Sequence, residues 1–577
     1  MIPISVACNK NKRYIAVAIA ISTSFYTQAI AAQTSPILPT VPADLTPKNT
    51  PKTPTEPYKL PDPDRLLAPE TPQTPQIPSN NNSESIVVKK FEVIGSSIFS
   101  AAELENITNP YINKSISIVE LFQVRTKITE LYVERGYITS GAYLPEQDLQ
   151  TGTVKIQIIE GGLDEIKVAG LTRLNSGYIQ SRIAIATEKP LNRTRLLEAL
   201  QLLQINPLIE SISANLSPSL QAGSNNLEIK VIEANTFSLP ITFDNSRTPS
   251  VGSERRQIQF TEANLTGLGD RLSISYSNTN GSNAFDTNYT IPFNPYNGTV
   301  SLGFGASSSK VIESPFNILD IASSSRNYEL SIRQPLLQNM AQALSLGIAF
   351  SHRQSAASLL SGLIPFPSLG SDVDGQTKVT ALRFFQEYVQ RSGEEVFAAR
   401  SQISLGVNAL GATINAVSPD SQFLAWRGQA QYVRLLAPET LLLLRADLQL
   451  SDRPLLSQEQ ISFGGQDTLR GFRQDALLSD NGLVLSAEAR IPIMRIPEIN
   501  GLLQIVPFFD FGKAWNYQAA TNPDPSTLAS IGMGLRFQMS DRLTVRLDIG
   551  FPLSRILSQK KTLQENGIYF SIVANPF

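Results

Sequence analysis

The sequence predicts a membrane all-β barrel of about 16 antiparallel strands, preceded by two α+β units and an extended leader. Three observations carry this. Residues 237–577 alternate apolar and polar side chains with a period of two, they hold no apolar run long enough for a spanning helix, and a β-α-α-β-β pattern occurs twice before them.

Lys10, Lys12 and Arg13 precede the apolar stretch 14–22, and Ala29-Ile30-Ala31 offers a small-residue exit. That pattern predicts a secretory signal peptide over residues 1–32, because a spanning helix needs roughly 20 apolar residues. The one cysteine, Cys8, lies before the basic cluster and is expected to leave with the signal. A mature chain of this size needs no disulfide staple to bury a core. Losing the three cations takes the net charge from −2 to −2 − 3 = −5, which gives no basic footprint for nucleic acid. His352, the one histidine, has no cysteine or second histidine to join it, so a zinc site or a histidine relay lacks material. It is expected in the lumen or a loop. No catalytic residue, metal site or cofactor is expected, and paired carboxylates read as lumen charges.

Between Pro36 and Pro78 lie 13 of the 37 prolines, followed by Asn80-Asn81-Asn82-Ser83. Proline removes backbone donors and fixes φ, and few large apolar side chains are present to offset chain entropy. Residues 33–85 therefore read as a semi-extended, disordered linker.

The first α+β unit covers 86–161. Residues 87–95 read as a strand ending at Gly95, 100–107 and 116–134 as helices, and 139–144 and 153–160 as strands joined by a turn at Gln150-Thr151-Gly152. Leu121, Val124, Ile128, Leu131 and Tyr132 stand at helical spacing in the second helix. The second unit, 162–235, repeats the order with a strand at 163–169, helices at 176–184 and 193–204, and strands at 209–216 and 226–233. With Gly95, Tyr132, Gly136, Tyr137, Gly152 and Ile159-Glu160-Gly161 in this order, the unit resembles the polypeptide-transport-associated (POTRA) domain. Each of these residues alone reads as core or turn; their order over the whole unit is the specific signal.

Residues 236–577 supply the barrel. Ile531, Met533, Leu535 and Phe537 point one way while Gly532, Gly534, Arg536 and Gln538 point the other, and Leu543, Val545, Leu547 and Ile549 alternate with Thr544, Arg546 and Asp548. A soluble sandwich alternates too. The charges Arg445, Asp447, Glu488, Arg490, Arg536, Arg546 and Asp548 would be buried in a sandwich whose strands turned them inward. The opposite turn stays open strand by strand, and the signal peptide and the final segment tip the balance to a barrel. The last segment, 568–577, closes on an aromatic residue in a way that resembles outer-membrane barrels, which makes Phe577 the candidate barrel-assembly signal.

Two POTRA-like units followed by such a barrel, with Leu469-Arg470-Gly471-Phe472 in a long loop (452–481) before strand twelve, resemble the outer-membrane transporters of two-partner secretion, the haemolysin secretion/activation protein family. The openings Phe243-Asp244-Asn245-Ser246 and Asn264-Leu265-Thr266-Gly267-Leu268-Gly269-Asp270 are similar to the family's as well. The resemblance implies that periplasmic POTRA domains capture an unfolded exoprotein bearing an N-terminal secretion domain, and that the barrel secretes it. It also implies insertion into outer-membrane lipid by the barrel-assembly machinery. In that family the arginine-glycine-aromatic loop folds into the barrel and its arginine meets an aspartate on the wall. Phe508-Phe509-Asp510-Phe511-Gly512 is the matching segment, and its alternation turns Phe508, Asp510 and Gly512 toward the lumen. Gly512 is expected to leave room for the loop backbone, and Asp548, Glu488 and Asp447 compete with Asp510 for Arg470. Tyr132, Tyr137 and Ile138, beside the second helix of the first unit, are candidates for client contact, with a core role as the competing reading. An insertase that assembles other barrels, and a passive porin or receptor, stay open as alternatives.

Overall fold

The computed structural model describes residues 85–576 except 222, 367, 519–521, 555 and 557–560. The expected signal peptide, the proline-rich linker up to residue 84 and Phe577 lie outside the described residues.

Both N-terminal units are built alike. In the first, Lys90–Ile94 pairs in parallel with Thr153–Ile159, which pairs antiparallel with Gly141–Tyr143; in the second, Gly162–Ala169, Ser224–Glu233 and Ile209–Pro218 take the same three places. Four helices, α1 (Ala101–Thr108), α2 (Ile118–Glu134), α3 (Ser176–Ala186) and α4 (Arg193–Gln204), begin at capping residues. Ser100 with Glu103 and Ser117 with Glu120 form capping boxes, while Asn175 and Asn192 cap the other two. Leu121, Val124, Ile128 and Tyr132 are the buried stripe of α2, and Leu196, Leu200 and Leu203 that of α4.

The first unit departs from expectation at its edges. The strand expected at 87–95 is two strands, Ser85–Val88 and Lys90–Ile94, because the chain breaks step where Lys89 and Lys90 both donate to the Gly152 carbonyl. Ser85–Val88 pairs instead with Lys114–Ser117, whose Ile116 and Ser117 were expected in α2. Ser85, expected in the linker, is already strand, and the strand expected at 139–144 shortens to Gly141–Tyr143.

The barrel sheet contains 18 strands, of which Phe237–Ser238 and Ile364–Pro365 are two-residue additions, leaving 18 − 2 = 16 wall strands. They run antiparallel in chain order from Ile241–Asp244 to Ile568–Ala574, and these two ends pair to close the cylinder. The wall strands are numbered here one to sixteen in chain order. Alternation decides which side each residue faces: Ile531, Met533 and Leu535 are 47%, 51% and 44% exposed outside, whereas Ser530 and Asp548 are at 0% inside. Among the described residues no helix is long and apolar enough to cross a membrane, and the strands do the crossing. His352 is not in the lumen or a loop. It stands on strand seven (Gln342–Leu359) on the outer face with Ile348 and Phe350, and it is buried there by hydrogen bonds of its ring nitrogens with Thr380 and Gln354.

The second unit is docked on the barrel through one of the turns singled out above. Asn175 donates its backbone N–H to Gly267 O at 2.8 Å, Arg173 reaches Glu262 at 2.8 Å, and Arg182 donates to Asn297 at 2.9 Å. Arg182 also stacks on Tyr178, with its guanidinium 3.5 Å from the ring centroid. The docking turn 264–270 fixes the approach of this unit to the pore.

Candidate functional site

The loop between strand eleven (Thr440–Ser451) and strand twelve (Asn481–Ile496) folds back into the lumen. Its arms pair as a short hairpin, Ile461–Phe463 with Leu477–Ser479, and a small apolar cluster forms around the tip from Phe463, Leu469, Phe472, Val484, Ala514 and Leu528. Leu469, Arg470 and Phe472 are buried at 0%, 2% and 4% exposure, so the motif is part of the packed interior and not a solvated loop.

Arg470 is gripped from several sides. Its Nε and Nη2 donate to the two oxygens of Asp510 at 2.8 Å each, its backbone N–H donates to the same carboxylate at 3.0 Å, and Nη1 donates to Glu488 at 3.0 Å. The fork geometry is the bidentate pairing that guanidinium and carboxylate allow. Phe508 lies flat beneath it, 3.5 Å from centroid to Cζ. Ser486 completes the cradle by donating to Asp510 at 2.7 Å and accepting from Arg470 at 3.2 Å.

Phe508 and Asp510 thus face the lumen with Arg470, while Phe509 is 45% exposed on the outer face. Gly512 does leave room, but for side chains. A methyl there would lie 2.9 Å from Leu469 and 3.0 Å from Phe463. Backbone contact falls instead at Gly550 on strand fifteen (Leu543–Pro552), where a methyl would lie 2.6 Å from the Gly471 nitrogen. Gly471 itself has φ +96°, a conformation that side chains strain. Of the rival acids, Glu488 joins Asp510 as a second partner, Asp447 is engaged by Arg427 at 2.6 Å, and Asp548 by Arg546 at 2.6 Å.

Several residues of the site were not singled out in the sequence. Tyr569 on the last strand accepts from the Gly471 N–H at 2.8 Å and donates to the Phe472 carbonyl at 2.6 Å. Arg473 pairs with Glu313 at 2.8 Å and with Glu565 at 3.2 Å, tying the tip to two loops beyond the strands. The only sequence signal for Tyr569 was its inward phase on strand sixteen.

A sequence model described as haemolysin secretion/activation protein ShlB/FhaC/HecB matches residues 223–537, more than half of the chain. The chain belongs to this family. A ShlB-type POTRA domain model matches residues 86–161. Similar relatives include the heme/hemopexin transporter protein HuxB of Haemophilus influenzae strain 86-028NP, 22% identical over 78% of this chain and 80% of its own. The outer membrane transporter CdiB of Dickeya dadantii is 23% identical over 78% and 79%. The solved CdiB of Escherichia coli superposes with a TM-score of 0.64 at 22% identity, covering 87% of this chain and 93% of its own, and shares the fold. As a haemolysin secretion/activation family member, the chain is an outer-membrane transporter of two-partner secretion with its POTRA region in the periplasm and a secreted exoprotein as partner.

In this transporter one client-contact candidate of the first unit, Tyr132, needs correction. Tyr132 is fully buried: its ring packs edge-on against Phe99 at 4.7 Å and its hydroxyl bonds Ser96 at 2.7 Å and Glu160 at 3.0 Å. Burial pushes its phenol up to about 12, so it stays neutral and keeps its proton. Tyr137 and Ile138 are half-buried. Exposed apolar side chains lie elsewhere, at Ile118, Val119 and Phe122 on α2 and at Tyr143 on the edge strand.

Proposed function

We propose that the transporter holds its exoprotein in extended form on two POTRA domains, 86–161 and 162–235, and threads it through the barrel, 236–577, as the lumen loop withdraws. The burial of Arg470 between Asp510 and Glu488 supports this most directly. When the loop withdraws, the guanidinium and both carboxylates rehydrate, which offsets part of the cost of separating them. Client contact falls on the edge strand Gly141–Tyr143 and its neighbours Tyr137 and Ile138, where an extended chain adds to the sheet with little demand on its side chains. Tyr132 supports that edge from within the core. The chain carries out no catalysis. Its other partners are outer-membrane lipid around the outward apolar belt and the barrel-assembly machinery that inserts it.

Deleting the gene should abolish secretion of one large exoprotein and leave other outer-membrane barrels at normal levels. General loss of barrels would instead favour an insertase. In the intact cell, Arg470→Ala should cut secretion by about tenfold or more, since removing one member of a buried pair costs about 3–5 kcal/mol, while the barrel remains inserted. Unchanged secretion removes the loop from the mechanism.

A further inference from the structure

The lumen loop makes a second set of charge contacts, five strands round the barrel from Arg470. Glu459 sits between two arginines of the wall, Arg353 on strand seven and Arg383 on strand eight (Gln376–Arg391), and all three side chains are under 10% exposed. Arg383 donates to both carboxylate oxygens, from Nη2 at 2.8 Å and from Nη1 at 3.1 Å, and Arg353 adds a further contact at 3.1 Å. Arg383 is held in place by the wall itself, donating to Ser351 at 3.2 Å and to Ser404 at 3.0 Å. The backbone on either side of the carboxylate is tied too, since Arg353 donates to the Gln458 carbonyl at 3.2 Å and Gln449 to the Glu459 carbonyl at 2.9 Å.

We propose that Glu459 is a second positioning residue for transport, a latch of opposite sign to Arg470 that must release before polypeptide passes. The proposal rests on the reading of the loop as the closure of the lumen. The loop offers a guanidinium to the acidic wall of strands twelve and thirteen (Gly501–Trp515) and a carboxylate to the basic wall of strands seven and eight. Breaking one contact leaves the loop tethered by the other across the pore. Each latch has its own partners, so their effects on closure should add, as independent sites do. Without Glu459, Arg353 and Arg383 face each other with no carboxylate between them, and their repulsion favours the position in which water fills the gap.

The test uses the purified full-length transporter in planar lipid bilayers, with heat-modifiable migration on gels to confirm folded barrels. Glu459→Gln keeps the side-chain volume and serves where Glu459→Ala fails to fold. It should lower the closed-to-open ratio by about tenfold, and the charge exchange E459R/R383E should return it toward that of the parent. Parent-like gating of E459Q beside an opened R470A overturns the second latch alone. Parent-like gating of both variants overturns it together with the closure reading. Failure of the charge exchange to restore closure, when each single variant folds and opens, also overturns it, because the carboxylate would then be packing and not pairing.

Discussion

Arg470 is held by charge, by a planar fork and by an aromatic face, and these can be separated by substitution. Arg470→Lys keeps the charge but loses the fork and most of the stacking, so secretion should fall between that of the parent and that of Arg470→Ala. Arg470→Ala combined with Asp510→Ala should be less harmful than the sum of the two, by about 0.5–3 kcal/mol of coupling; additivity in the secretion assay would point to Glu488 as the main partner. Gly550→Ala leaves every charge in place but drives a methyl to 2.6 Å from Gly471 N and 2.8 Å from Arg470 C. It should loosen the loop as Arg470→Ala does, read as higher channel conductance. The pairing of Arg470 with Asp510 was legible because the family resemblance implied an arginine–aspartate contact, a four-residue motif marked one partner and the two-residue period agreed with an inward face for the other. Glu488 was legible as one of several rival acids, but Gly550 and Tyr569 were not, since alternation tells which side of a wall a residue faces but not which strand lies across the lumen.

The repeated units owe their shape to one device used twice. Glu160 accepts from the backbone of Ser97 and Ile98, and Glu233 from that of Thr172, Arg173 and Leu174, so the end of each last strand ties down the loop that leads into α1 or α3. Burial raises both carboxyls, but the hydrogen bonds from Ser97 in one unit and from Leu174, Thr172 and Arg173 in the other outweigh it and hold both below the ordinary value. An unfolded glutamate titrates near about 4.3. The stability these groups contribute is therefore fully present above that pH and lost as pH falls through the lower folded values. Hydrogen exchange of the amides of residues 97–104 in the full chain should quicken over that acid range in the parent and show no such step in Glu160→Gln, which should lose roughly 2 kcal/mol at neutral pH. The helices and most strands of both units could be read from spacing and caps. The strand Lys114–Ser117 could not, because it runs directly into α2 with no glycine or proline between them, and only the partner Ser85–Val88 marks it as strand.

At the scale of the molecule, a periplasmic arm is fixed to a cylinder that the chain's own loop fills. The approximate number of strands was legible from alternation, but that their charges face a lumen needed the signal peptide and the closing aromatic segment as well. The paths of the long loops were not legible, because Glu459, Arg473 and Gln474 find partners in Arg383, Glu313 and Gln564, up to 160 residues away, and no local pattern reports such pairings. Closure of the cylinder pairs four residues of strand one with strand sixteen, from Ile241 with Ala574 to Asp244 with Ser571, and Asn245 extends the seam by bonding Phe570 and Ile568. The arm's mounting depends on Arg173, so Arg173→Ala should free the second unit to move against the barrel, visible as a broader distance distribution between spin labels on the two. The central claim is that the lumen loop must leave the wall for polypeptide to pass. Its most direct test is the pair Leu469→Cys with Gly512→Cys, placed where a methyl on residue 512 meets Leu469 at 2.9 Å, with Cys8 the chain's one native cysteine. Oxidation of this pair should stop secretion and reduction should restore it; secretion at the parent rate by the fully oxidised protein would contradict the account.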